Sequence, residues 1–329
     1  MVWRYCCLKN ARYYENVWHL ALRYLADGHW YTLAESAQRL HVTPQMMRAA
    51  LRQFMRMGAP LQLDMARGFR FVQPVSPLIA ARERLPLPVQ AFWMTDSTNT
   101  RALAALGMGL ARRKAWVAEY QSQGRGRAER RWHQGLGCGV SVSLAFPAHE
   151  ALALEALSLR VGLALAEALQ RVGVADVKLK WPNDVMWQGK KLGGILIEAR
   201  RTGVVVGVGL NYLRLRHETG AILQPVTSLQ AIMGRRLPRR ARVLARVLGG
   251  VLRELRTLSC TWQTRFAYFD ALQGQAVRVM EAFQASWCGV AEGVDARGLL
   301  RVRTGAEVRL CHAGEVSVRV NEFGQEQSA

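Results

Sequence analysis

Apolar positions along the N-terminal stretch predict three helices and two strands in succession. Residues 17–26 (VWHLALRYLA) place Val17, Leu20, Ala21, Tyr24 and Leu25 at helical spacing. Thr32 and Glu35 make a capping-box pattern ahead of LAESAQRL, the second helix. After a short turn at His41–Val42, Thr43 suits the cap of a third helix and Pro44 its first position. That helix is expected to run to about Met57, with Gly58 as its stop. Met47, Leu51, Phe54 and Met55 form its apolar face, and Arg48, Arg52 and Arg56 recur every fourth residue beside it. LQLDMARGFRFV, 61–72, alternates about a turn near Arg67–Gly68 like a β-hairpin.

A helix, a short turn, a basic helix and a hairpin stand in the order of a winged helix-turn-helix, which predicts DNA binding over residues 17–73. A lone basic stripe reads more readily as a solvated face; the capping signals, the turn length and the wing favour DNA. Prolines 74, 77, 86 and 88 mark a linker over 74–90. A second domain, 91–272, opens with a strand near Gln90–Met94 and then TDSTNT, whose Asp96, Ser97, Thr98 and Asn99 are N-cap types that capping alone explains. AWVAEY (115–120) is a strand, and GVSVSLAF (139–146) alternates like a half-buried one. The apolar stretch 151–172 predicts a central helix covered by a sheet. Residues 177–212 read as an antiparallel meander turning at Gln188–Gly189 and Thr202–Gly203. In it Val177, Leu179 and Trp181 face one side, Lys178 and Lys180 the other. Residues 228–270 look helical, and short alternating strands from about 274 predict a small barrel-like third domain, 273–329. Residues 1–16, with Cys6–Cys7 and many aromatics, match no pattern.

Composition adjusts this picture in three places. A chain of 329 residues, half of them hydrophobic, has room for two or three domains with a sizeable core. The longest apolar stretch, 151–169, is broken by Glu155, Arg160 and Glu167, so no membrane span is expected. Arg4 precedes no apolar run, so no signal peptide is expected and a cytoplasmic location follows. Six cysteines without a CxxC pair fit free thiols. The net charge of +21 suits a polyanionic partner, but only six of the 45 basic residues are lysine, a bias that genome base composition also produces. Four of those six lysines fall between 178 and 191, where a compact ammonium is wanted rather than a planar fork.

The candidate chemistry sits in two places. EYQSQGRGRAERRW, 119–132, sets Arg125, Arg127, Arg130 and Arg131 on a glycine-hinged loop closed by Trp132. It lacks a Walker spacing. Glycines allow a backbone to wrap a small ligand, and arginines neutralise phosphate; the same run also reads as a solvated or RNA-binding loop. Lys180 and Lys191 are expected on neighbouring strands, with Asp184 in the turn between them. Lysines with one carboxylate are the parts of a magnesium-assisted nucleotidyl site; a charged hairpin edge is the other reading.

Together DSTN (96–99), EYQ…GRGR…W (119–132), KWPNDV (180–185), KLGGILIE (191–198) and GVGLN (207–211) resemble the biotin protein ligases, in the family's order and spacing. The likeness covers roughly residues 17–320 and matches the bifunctional bacterial members that also repress the biotin operon. It implies an α+β chain: a winged helix-turn-helix, a class II synthetase-like mixed sheet with helices, and an SH3-like β-barrel. It also implies biotin and ATP as substrates with Mg2+, biotinyl-5′-AMP as intermediate, a biotin carboxyl carrier protein as acceptor, operator DNA, and a ligand-dependent homodimer. Carried over, Ser97, Thr98, Asn99, Gln121, Arg125, Gly126, Arg127 and Lys191 hold biotin, and Trp132, Asn183 and Asp184 serve the nucleotide, with Asp184 also the metal. Lys191 is the first choice for catalysis, helped by Lys180 and Asp184. Thr43, Gln45, Arg48, Arg52 and Arg56 are the DNA-facing set. Ala128 and Glu129 replace an Arg and a Gly of the family's loop, and Gly139 and Ser141 an Asn and an aromatic; these departures bear on adenylate retention and dimerisation. Two alternatives stand beside this: a lipoate-type ligase, and a ligand-sensing DNA-binding regulator with weak or no ligase activity.

Overall fold

The structure is a computed structural model that describes residues 17–72, 74–78, 85–110, 114–148, 155–214, 224–257, 261–281, 285–313 and 316–320. Residues 1–16, the expected start of the helix at 151 and residues 321–329 lie outside the described residues.

Three helices come first: α1 (17–25), α2 (Leu33–Arg39) and α3 (Pro44–Arg56). The hydroxyls of Thr32 and Thr43 accept from Glu35 N and Met46 N, each at 3.2 Å, so both predicted caps act as caps. The hairpin pairs β1 (Leu61–Asp64) with β2 (Gly68–Phe71). Its turn falls at 65–67, earlier than the alternation suggested. Asp64 Oδ1 accepts from Ala66 N and Arg67 N at 2.9 Å, a local bond that competes for the turn.

A seven-stranded sheet follows: β3 (Val89–Thr95), β4 (Lys114–Gln121), β5 (Gly139–Pro147), β6 (Val177–Lys180), β7 (Asp184–Trp187), β8 (Lys190–Arg200) and β9 (Gly203–Asn211). Their order is β3-β4-β5-β9-β8-β7-β6, with only the β3–β4 pair parallel. On one face α4 (Thr98–Gly107) packs Ala102 and Leu106 onto Trp116, Ala145 and Val205. On the other lie α5 (Leu157–Gln170), α7 (Arg240–Arg256) and α8 (Trp262–Phe269), reached through the short α6 (Leu229–Met233). β5 is therefore buried from Gly139 to Phe146, not half-buried as its alternation predicted, because helices cover both of its faces. α5 is buried along most of its length, as expected of a central helix. The C-terminal strands β10 (Ala276–Glu281), β11 (Trp287–Val294), β12 (Leu300–Thr304), β13 (Glu307–Cys311) and β14 (Val316–Val320) form an antiparallel sheet in the order β13-β12-β11-β10-β14.

The proline-marked stretch does not hold the N-terminal helices apart from the sheet. Instead, Phe54 of α3 stacks on Phe71 with centroids 6.4 Å apart and packs on Trp93 of β3 at 5.5 Å. Leu136 N donates to Met57 O at 2.8 Å. A Cβ on Gly135 would fall 2.4 Å from Gly58 O, so only glycine permits this approach. Behind the seam, the fully buried Arg240 pairs with Glu119 at 2.8 Å, donates to Gly139 O at 2.8 Å and reaches Ser76 O at 3.4 Å. Among the described residues no helix is long and apolar enough to cross a membrane.

Candidate active site

The register of the large sheet builds the floor of the site. Cα pairing lines up Ala118, Ser141, Gly209, Gly194, Asp184 and Lys180 in one row across six strands. Paired residues share a face, so this row is a trough of small side chains ending on a carboxylate and an ammonium. The next row joins Trp116, Ser143, Gly207 and Leu196. Over these rows lies a cleft of ≈ 1270 Å³. Ser97, Thr98, Asn99, Gln121, Arg125, Gly126, Arg127, Trp132, Lys180, Asn183, Asp184 and Lys191 all line it.

The start of α4 supplies one wall. Ser97 caps α4 by backbone only, with no side-chain capping bond, and the side chains of Thr98 and Asn99 are buried and turned to other partners. Capping therefore does not account for DSTN. Thr98 N donates to Gln121 Oε1 at 2.7 Å. Ser143 Oγ lies 2.7 Å from Thr98 Oγ1 and 2.5 Å from Asn99 Oδ1. A Cβ on Gly207 would fall 2.2 Å from Asn99 Oδ1, so this row needs its glycine.

The arginine loop is a small hairpin above the trough. Trp132 N donates to Gly124 O at 2.9 Å, Gly126 N to Arg130 O at 2.7 Å, and Arg130 N to Arg127 O at 3.1 Å. The two tip residues, Ala128 and Glu129, have φ of 48° and 55°. Arg125 ion-pairs with Glu198 at 2.7 Å, and Arg127 Nη1 donates to Asn183 Oδ1 at 3.3 Å. Burial, with Arg130 close by, lowers the Arg127 pKa, and Asp184 opposes that shift. The Trp132 ring lies against β9, where a Cβ on Gly209 would meet it at 2.5 Å. Its buried Nε1 has no partner among the described residues.

Lys191 Nζ stands 2.7 Å from Asp184 Oδ1, both largely buried. The sequence placed Lys180 and Lys191 on adjacent strands with Asp184 in the turn. The structure puts β7 between them, and Asp184 opens β7 opposite Lys180. Strict alternation would turn Lys191 away from the trough. A register shift pairs Val185 with Gly193 but Met186 with Lys191, leaving Leu192 as a bulged residue. The bulge returns Lys191 to the face of Met186 and Asp184. Its backbone is fixed as well: Lys191 N donates to Pro225 O at 2.9 Å, and Asn211 Nδ2 to Lys191 O at 3.3 Å. Among the described residues no three His, Cys, Asp or Glu side chains gather as a metal cage. Asp184, beside Lys191, is the carboxylate placed to take a metal ion, and Asp176 and Asp270 also line the cleft.

The residues expected to face DNA lie elsewhere. Thr43 caps α3, and Gln45, Arg48, Arg52 and Arg56 are exposed on it. Sequence reasoning missed two residues that hydrogen-bond to cleft side chains. Glu198 was quoted within KLGGILIE without a role, and Ser143 is a serine on a buried strand that only the register reveals.

The model of the biotin/lipoate A/B protein ligase family matches residues 91–211. A biotin–[acetyl-CoA-carboxylase] ligase of Mycobacterium tuberculosis is 32% identical over 236 residues, 68% of this chain and 85% of that protein. The bifunctional ligase/repressor BirA of Escherichia coli is 29% identical over 320 residues, 91% of this chain and 96% of that one. The solved biotin protein ligase from Aquifex aeolicus in complex with biotin and ATP superposes with a TM-score of 0.63 at 27% identity, covering 71% of this chain and 99% of that chain. With the cleft built from the same motifs that the family model spans, the chain belongs to the biotin protein ligases of the biotin/lipoate A/B protein ligase family.

Proposed function

We propose that the chain ligates biotin to a lysine of a biotin carboxyl carrier protein in two steps, within a catalytic domain over 91–272. The observation that carries this is the Lys191–Asp184 pair at 2.7 Å at the end of a small-residue trough capped by the arginine hairpin. In the first step a biotin carboxylate oxygen attacks the α-phosphorus of ATP, and pyrophosphate leaves. Lys191 and Lys180 neutralise charge on the carboxylate and phosphate oxygens, preorganised in a site away from water. Mg2+ would be held by Asp184 with the phosphates and would offset charge on the leaving pyrophosphate. In the second step the acceptor's neutral ε-amine attacks the mixed-anhydride carbonyl, forming the amide and releasing AMP. Ser97, Thr98, Asn99 and Gln121 hold biotin; Arg125, Gly126 and Arg127 close over the adenylate. Trp132 and Asn183 border the nucleotide.

The N-terminal residues 17–73 serve as a winged helix-turn-helix, with 273–329 as a small SH3-like barrel. Two supports are the capped α2–α3 pair beside its hairpin and the exposed row Arg48, Arg52, Arg56. In this reading the adenylate-loaded chain forms a two-fold dimer in the cytoplasm and binds an operator before biotin-synthesis genes. α3 enters the major groove and Thr43 and Gln45 stand at its leading end.

The test incubates the chain with ATP, Mg2+ and an acceptor domain, with either biotin or lipoate, and measures covalent labelling. Biotin labelling alone is expected; lipoate labelling, or none, would refute the ligase reading. A footprint on its own biotin-synthesis promoter, with and without biotin and ATP, tests the second activity. Protection in neither state would refute it.

A further inference from the structure

Glu198 stands on β8, where no role has been assigned to it. Its carboxylate is 14% exposed, and Oε2 accepts from Asn99 Nδ2 at 2.8 Å and Arg125 Nη2 at 2.7 Å. A carboxylate can only accept. Asn99 must therefore give its amide nitrogen to Glu198 and turn its oxygen to Ser143, 2.5 Å away. Ser143 owns one proton, and Asn99 Oδ1 takes it. The Thr98 hydroxyl, which also lies 3.2 Å from Gln121 Oε1, then gives its one proton to the Ser143 oxygen at 2.7 Å. Gln121 Oε1 accepts from Thr98 N, which turns the Gln121 amide nitrogen toward the loop near Gly124. One negative charge thus sets the direction of every hydrogen bond from Arg125 to Thr98.

We infer that Glu198 is the positioning residue of the biotin row. Its charge fixes which of these groups donate and which accept toward the ligand's polar ring, and it draws Arg125 over that ring. This rests on the reading that the row binds biotin. Glutamine at 198 would keep the shape, but it removes the charge that holds Arg125 and, no longer acceptor-only, can turn its amide nitrogen to face Asn99 and Arg125 and lose both bonds, since both end on Oε2.

The test is biotin-dependent exchange of pyrophosphate into ATP by the full chain. Glu198→Gln is expected to raise the biotin KM about tenfold or more, the loss typical of charged hydrogen bonds. Its kcat at saturating biotin should stay within about threefold, since the reacting atoms are untouched. Ser143→Ala, which cuts the same row without touching Arg125, should also raise the biotin KM. The double variant should be no worse than the worse single one, because both act through one row. An unchanged KM in Glu198→Gln with an intact thermal transition would overturn the inference. So would a lowered KM, which would make Glu198 a competitor of the ligand for Arg125, or multiplicative effects in the double variant. If Glu198→Gln does not fold, an unchanged KM in Ser143→Ala overturns it alone. No biotin-dependent exchange by the wild-type chain would instead overturn the underlying functional reading.

Discussion

Glu129→Gly should slow the escape of biotinyl-5′-AMP. The arginine hairpin turns on Ala128 and Glu129, with φ of 48° and 55°, and closes through Arg130 N to Arg127 O at 3.1 Å. Two consecutive left-handed residues make a turn that favours glycine and asparagine. A side chain costs about 1–2 kcal/mol in that region. Glycine removes the cost but loses about 0.5–1 kcal/mol more backbone entropy on ordering. The net gain for the closed hairpin is about 0.7 kcal/mol, roughly threefold in its closing equilibrium. Glu129 is exposed, and removing its charge near a bound phosphate acts in the same direction. The assay preloads the chain with labelled adenylate, adds excess unlabelled biotin and ATP, and follows release. Glu129→Ala serves as the control, since it removes the charge and keeps the Cβ. Slowing in Glu129→Gly beyond that in Glu129→Ala is expected. Equal or faster release in Glu129→Gly would refute the strain argument, and equal slowing in both variants would assign the effect to charge alone.

Lys191→Ala should cut adenylate formation by about two orders of magnitude or more, the scale of losing one preorganised donor of roughly 3 kcal/mol. Pyrophosphate release at the wild-type rate would exclude the role. Gly135→Ala should weaken biotin binding from outside the cleft, because its Cβ would fall 2.4 Å from Gly58 O and shift the strand-side end of the loop; a biotin KM equal to wild type would refute that. His19 is held below its ordinary pKa, first by burial, then by Arg23, against the pull of Glu119. The unfolded chain then takes up the proton first, so this contribution is full above about pH 6.5 and is lost as pH falls through the folded value. The gap between the thermal midpoints of wild type and His19→Gln should be constant above about pH 6.5 and shift against wild type as pH falls below it; a gap that does not change with pH would refute it.

The elements of this chain were legible where local chemistry decides them. Thr32 and Thr43 cap helices as their types predict, and the 177–212 meander turns where glycines allow positive φ. The members of the cleft were legible through motif resemblance, and all twelve line one cavity. What failed was whatever depends on strands far apart in sequence. Alternation made β5 look half-exposed because a pattern cannot report a second covering helix. Leu192 is buried and aliphatic, so nothing in KKLGG announces a bulge. Ser143 meets Asn99 across 44 residues, and Glu198 meets Asn99 across 99. No window of the chain contains those pairs.

The seam between α3 and residues 135–138 bears on how the proposed ligation and DNA binding would share one chain. The loop runs from Gly124 to Trp132, and four residues later Leu136 hydrogen-bonds to the end of α3. Arg48, Arg52 and Arg56 lie on the exposed side of α3, while Phe54 and Met57 face the seam. A proline-marked linker alone would leave DNA contact and ligand binding independent. The observed packing instead gives the helix and the loop a common support: Arg240, buried, holds Glu119 just before the loop and Gly139 just after it. If the bound adenylate orders the loop, it would fix the segment on which α3 rests and with it the orientation of the α3 arginines. Linkage requires the converse as well, so any ligand that orders α3 must favour the closed loop by the same free energy.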